Sequence, residues 1–137
     1  MGRLTGKRAL MTGASGNLGG AIARAFAGEG ADLVLTGRSA DRLEPVAADV
    51  RGAGVRVQTA AADMMVDADM DRLAAEAWDA FGGGDIVVLS SQPANPMLGN
   101  LMETADADWK DQFQTIVWGP LRLMRALAPR MMEAGGG

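Results

Sequence analysis

Apolar and polar positions alternate along this chain between two kinds of block: short apolar runs, and longer stretches with apolar residues three and four apart. The short runs Ala9-Leu10-Met11, residues 31–36 (A-D-L-V-L-T) and residues 85–89 (D-I-V-V-L) predict buried strands. Residues 55–59 (V-R-V-Q-T) alternate instead, and predict a further strand between the last two of these. The periodic stretches predict helices. Residues 17–28 place Leu18, Ile22 and Phe26 on one face, and residues 40–51 do the same with Leu43, Val46, Ala47 and Val50. Residues 67–81 carry Met70, Leu73, Ala74, Ala77, Trp78 and Phe81. A last helix, from about 107 to 133, repeats Trp109, Phe113, Ile116, Val117, Leu121, Met124, Leu127 and Met131.

Turn residues punctuate these blocks. Gly28 and Gly30, Gly52 and Gly54, and the run Gly82-Gly83-Gly84 mark helix ends, and Ser39 is placed to cap the second helix. Pro45 predicts a kink or a first turn that is not α-helical, and Gly119-Pro120 a bend in the last helix. Residues 90–108 form a long loop of the kind that is usually functional or mobile. Strand and helix alternate four times, which predicts an α/β doubly wound parallel sheet in one domain, 1–137. The expected strand order is 3-2-1-4, with helices on both faces and ligands bound at the C-terminal strand ends.

Composition narrows the chemistry. The net charge is −4 and no Lys/Arg run occurs, so nucleic acid is not an expected partner. The chain has no cysteine and no histidine, which removes disulfides, thiol chemistry, and the commonest metal ligand and general base. No metal site is expected. Ten methionines are scattered over different elements, as suits adaptable packing. No apolar run nears the ~20 residues of a membrane span and none at the N-terminus reads as a signal sequence, so the expected location is cytoplasmic, away from membranes. The chain also has no tyrosine.

The candidate binding element lies between the first strand and helix, where Gly13, Gly16 and Gly19 recur every three residues. Glycine permits positive φ and close approach of an anion, and free N–H groups at a helix N-terminus attract phosphate, which implies a nucleotide pyrophosphate. A glycine turn also serves plain tight packing.

Together these residues resemble the short-chain dehydrogenase/reductase family. T-G-A-S-G-N-L-G (residues 12–19) resembles its cofactor turn, G-R-S (residues 37–39) its ribose-binding turn, Asp63 its adenine contact, and E-T-A-D-A-D-W-K-D-Q-F (residues 103–113) the start of its fourth helix. The resemblance covers essentially the whole chain and implies a Rossmann-like, cofactor-binding half. It implies cofactor-binding roles for Gly13, Ser15, Gly16, Asn17, Leu18, Gly19, Arg38, Ser39, Asp63, Met64 and Ser90. Asn17 holds the family's usual middle-glycine position, a spacing like that of the extended and atypical branches. Leu89, Ser90, Ser91 and Gln92 replace N-N-A-G, and Ile116 replaces an asparagine. The family's catalytic Y-x-x-x-K follows the fifth strand, which would begin near Gly135 to Gly137, so no catalytic residue is expected here.

Cofactor choice can be argued from the end of the second strand. An acidic side chain there would accept the ribose hydroxyls and repel a 2′-phosphate, whereas this chain has Gly37 followed by Arg38. The arginine fork suits phosphate, so NADP(H) is favoured over NAD(H). Read alone, Arg38 is also an ordinary solvated charge, Ser39 a helix cap and Asp63 a turn residue. The implied function is the NADP(H)-binding portion of an oxidoreductase that moves hydride to or from a carbonyl/alcohol substrate. The alternative is a catalytically dead NADP(H)-binding module acting through a partner subunit. A homo-oligomer or partner chain is expected through the last helix and the fourth-strand edge, since an uncovered I-V-V-L edge invites pairing.

Overall fold

The computed structural model describes residues 2–95 and 99–137. Residues 96–98, part of the predicted 90–108 loop, lie outside them. The elements run β1 (Arg8–Met11), α1 (Asn17–Gly28), β2 (Asp32–Gly37), α2 (Ala40–Arg51), β3 (Val57–Ala61), α3 (Asp67–Phe81), β4 (Ile86–Val88), α4 (Asp106–Phe113), a π-helical turn (Gln114–Trp118) and α5 (Gly119–Glu133). The four strands form one parallel sheet in the order β3-β2-β1-β4.

Strand alternation divides the core into two layers. Ala9, Met11, Leu33 and Leu35 face one side, where Ala23 and Ala27 of α1 and Leu43, Ala47 and Val50 of α2 cover them. Leu10 and Val34 face the other, against Met70, Leu73 and Ala77 of α3 and Leu123 and Leu127 of α5. Helices therefore cover both faces, as the pattern predicts. Arg8 ties the first strand to the fourth: its Nε donates to Asp85 Oδ2 at 2.8 Å and its backbone N–H to the same oxygen at 2.9 Å.

Several local expectations are corrected. β3 lies two residues later than predicted, because pairing begins where Val57 meets Leu33 and continues to Ala61 opposite Gly37. The face of α1 is only partly the expected one: Ile22 and Phe26 pack half-buried against the core, but Leu18 is 64% exposed, and the fully buried positions are Gly19, Gly20, Ala23 and Ala27. Pro45 lies within an α2 that is α-helical from its first turn. Ser39 occupies the N-cap of α2 but makes no side-chain capping hydrogen bond.

The last helix departs most from expectation. Its phase changes at the π-helical turn, and Gly119 serves close packing: a Cβ there would lie 2.5 Å from Met64 O. Thr115, Gly119, Leu123 and Leu127 face inward, while Phe113 (51%), Ile116 (55%) and Trp118 (56%) of the predicted helix remain exposed. β4 is an edge strand whose three residues are half-buried.

Candidate functional site

The C-terminal ends of the strands open onto a cleft of about 490 Å³. Its floor is the turn between β1 and α1, whose glycines carry different constraints. Gly13 has φ +66°, and a Cβ on it would lie 2.3 Å from Ser90 O, so the left-handed backbone and the close approach of the post-β4 segment both require glycine. A Cβ on Gly19 would lie 2.1 Å from Gly13 O. These two positions are fixed by packing.

Gly16 is different. It is exposed, takes an ordinary φ of −81° as the N-cap of α1, and the nearest atom to an added Cβ is 3.4 Å away. No side chain caps α1 and no acidic residue stands in its first turn. The first-turn N–H groups therefore meet the cleft without a competing oxygen, as a phosphate site requires. Leu18, outside the core, lines the same cleft, as do Ser15, Asn17 and Gly19.

The end of β2 supplies Gly37 and Arg38. A Cβ at Gly37 would lie 3.2 Å from Ser15 Oγ and 3.4 Å from Leu43 Cδ2, so a longer acidic side chain fits there only if its neighbours give way. Arg38 is exposed and carries no ion-pair partner among the described residues, unlike Arg24 (Asp49, 2.8 Å) and Arg56 (Asp32, 2.6 Å). The end of β3 supplies Asp63 and Met64. Asp63 accepts from the Met65 N–H at 2.9 Å, and its own N–H donates to Asp69 Oδ2 at 2.8 Å. That bond, followed by those from Arg72, holds the Asp69 carboxyl below its usual range. Asp63 is thus a turn residue by its bonds, and it also lines the cleft.

Ser90 completes the set after β4. Ten of the eleven expected residues line one cleft; Ser39 is not among its lining residues. The sequence pattern missed Arg42 of α2, Met65, and a wall from α4 and the π-helical turn made of Asp108, Asp111 and Thr115. Thr115 Oγ1 lies 3.3 Å from Met65 Sδ, and Gln114 Nε2 donates to Met64 O at 3.3 Å, which seats that wall on the loop after β3. Only the spacing of Arg42, four residues after Arg38, could have signalled its place.

A glycine-floored cleft, a helix N-terminus with no side-chain cap, and Arg38 and Arg42 without ion-pair partners among the described residues fit a dinucleotide phosphate. With neither tyrosine nor histidine in the chain, the serines beside the cleft have no imidazole base and no phenol acid near them.

Comparison with known proteins agrees with this fold. A family model described as short chain dehydrogenase matches residues 7–137. An uncharacterised oxidoreductase of Mycobacterium tuberculosis is 39% identical over 137 residues, which is 100% of this chain and 51% of that protein. Human dehydrogenase/reductase SDR family member 4 is 32% identical over 98% of this chain and 48% of its own length. Among solved structures, L-sorbose reductase from Gluconobacter frateurii, complexed with NADPH and L-sorbose, superposes with a TM-score of 0.90 at 38% identity, covering 100% of this chain and 51% of that one. A metagenomic short-chain oxidoreductase in complex with NADP gives a TM-score of 0.89 at 31% identity, covering 98% and 60%. The chain spans about half the length of the curated relatives it matches. It belongs to the short-chain dehydrogenase/reductase family.

Proposed function

We propose that this chain binds NADP(H) in the cleft and is the cofactor-binding portion of an oxidoreductase acting on a carbonyl or alcohol. The observation that carries the reading is the end of β2, where Gly37 leaves little room for a carboxylate and Arg38, with no ion-pair partner among the described residues, lines the cleft. The complexes of two structural relatives with NADP and NADPH support it. Bound cofactor would supply or accept hydride. In this portion of the fold, Gly13 and Gly19 shape the floor, Gly16 and the α1 N-terminus receive the pyrophosphate, Arg38 holds the 2′-phosphate, and Asp63, Met64 and Ser90 border the adenine and ribose path. The 137 residues contain no tyrosine to protonate a carbonyl oxygen, so they bind and orient cofactor without completing the reaction.

The test is Arg38→Asp, which places a carboxylate where the phosphate would sit. The expected result is a loss or reversal of the preference for NADPH over NADH in fluorescence titrations; an unchanged preference contradicts the assignment.

A second reading is an NADP(H)-binding module without catalysis that works through a partner subunit. It is favoured by Ile116 and by Leu89 to Gln92 standing where the family has site residues, and by the open β4 edge beside exposed Phe113, Ile116 and Trp118. A coding sequence that continues in frame to a Y-x-x-x-K decides for the oxidoreductase; a stop codon followed by an unrelated product decides for the module.

A further inference from the structure

We infer that Asp69 and Arg72 of α3 are positioning residues for the adenine end of the cofactor, acting through the turn that carries Asp63 into the cleft. This deepens the NADP(H) reading above and rests on it. β3 ends at Ala61, and the chain must then leave the sheet along one path for Asp63 and Met64 to line the cleft. Two side chains of α3 fix that path. Asp69 Oδ2 accepts from the Asp63 backbone N–H at 2.8 Å, and Arg72 Nη2 donates both to Asp69 Oδ1 at 3.0 Å and to Ala61 O at 2.8 Å. Arg72 Nη1 donates in turn to the two carboxylate oxygens of Glu76, at 3.0 and 3.1 Å. The last carbonyl of the strand and the N–H of the cleft residue are thereby joined through Asp69 and Arg72.

A plain helix-end role does not account for this arrangement. The positive end of the α3 dipole favours an acid in the first turn, but Asp67 already stands there, and α3 has no side-chain capping bond. The Asp69 carboxylate instead reaches six residues back, out of its own helix. Stability is not a sufficient reason either, because the Asp69–Arg72 and Arg72–Glu76 pairs are partly exposed and such pairs contribute little. What the bonds supply is direction. The planar guanidinium fork serves three acceptor groups at once, and a charge-assisted bond to a backbone N–H fixes where that residue points. On the other side of the same turn Gln114 Nε2 donates to Met64 O at 3.3 Å, so the turn is gripped both from α3 and from the π-helical turn. Asp63 spends its Oδ1 on the Met65 N–H within the turn, so the place of its carboxylate follows that of the turn, which Asp69 sets.

Adenine is common to NADPH and NADH, so a fault in this turn weakens both alike, unlike a fault at Arg38. The test titrates both cofactors against the unsubstituted chain, Asp69→Ala, Arg72→Ala, Arg72→Lys, Asp63→Ala and the Asp63→Ala/Asp69→Ala double variant, with thermal midpoints measured alongside. Asp69→Ala is expected to weaken NADPH and NADH by the same factor, about fivefold, as the loss of one hydrogen bond does, with their ratio unchanged. Arg72→Lys keeps the charge without the fork and should fall between the unsubstituted chain and Arg72→Ala; it carries the comparison where an alanine variant does not fold. With Asp63 already replaced, Asp69→Ala should add less than about twofold, since residues acting through one another are not additive. A lowered thermal midpoint with both affinities unchanged, losses that add in full in the double variant, or a loss confined to one cofactor overturns the positioning role and leaves the NADP(H) reading standing. Failure of the unsubstituted chain to bind either cofactor overturns that reading and the positioning role together.

Discussion

The Thr12 hydroxyl accepts a hydrogen bond from the Ser90 backbone N–H at 3.0 Å, joining the glycine turn after β1 to the segment that follows β4. Thr12 is fully buried, and its own N–H donates to Val88 O at 2.9 Å, so one residue holds two points of the neighbouring strand's end. Thr12→Val keeps the shape and strands the Ser90 donor. Its expected cost is about 1–3 kcal/mol of unfolding free energy, read as a lower urea midpoint at unchanged m-value. Thr12→Ser should recover most of it, and an unchanged midpoint in the valine variant would contradict the role.

Gly13 and Gly16 should separate stability from binding. Gly13→Ala meets both a left-handed backbone and the Ser90 carbonyl, and should cost at least about 2 kcal/mol, more than left-handed strain alone. Gly16→Ala is an N-cap exchange with space around it and should cost under about 1 kcal/mol. Its methyl group instead obstructs the mouth of the phosphate site, so the stabilisation of this variant by NADPH in thermal melts should shrink. A Gly16→Ala chain stabilised by NADPH as fully as the parent would argue against pyrophosphate at that turn.

The Arg8–Asp85 pair predicts an acid limb in stability. The hydrogen bond from the Arg8 side chain, against some opposing burial, holds the Asp85 carboxyl below its ordinary value of 3.8. Burial raises Asp32, but the bonds from Arg56 outweigh it and leave that carboxyl lowered too. A depressed carboxyl contributes stability that is fully present above the unfolded value and is lost as pH falls through the folded one. Urea midpoints should therefore be steady near neutrality and fall below about pH 4. Asp85→Asn should be less stable at neutral pH and lose less on acidification; parallel pH profiles for the two proteins would contradict this.

The architecture was legible because strand and helix periods alternate cleanly and each of the first three helical stretches ends in a glycine cluster. The turn residues 12–19 and Arg38 were legible because their chemistry is tied to sequence spacing. What the pattern could not carry was the partner of each face. Leu18, Ile22 and Phe26 repeat at helical spacing, yet Gly19 must approach Gly13 O so closely that the glycine and alanine face of α1 turns inward and Leu18 is left in the cleft. Phe113, Ile116 and Val117 likewise share a helical period, but the extra residue of the π-helical turn shifts the phase, and the packing face becomes Gly119, Leu123 and Leu127. Arg42 and Asp111 reach the cleft from different helices, a proximity that only the folded chain creates.

The most direct test of the central claim is a pair of fluorescence titrations of the purified 137-residue chain, one with NADPH and one with NADH, at the same low salt concentration. Saturable binding of NADPH, about tenfold or more tighter than NADH, is the predicted result, corresponding to at least one charge-assisted phosphate contact. Superimposable curves for the two cofactors, or no binding of either, would contradict it.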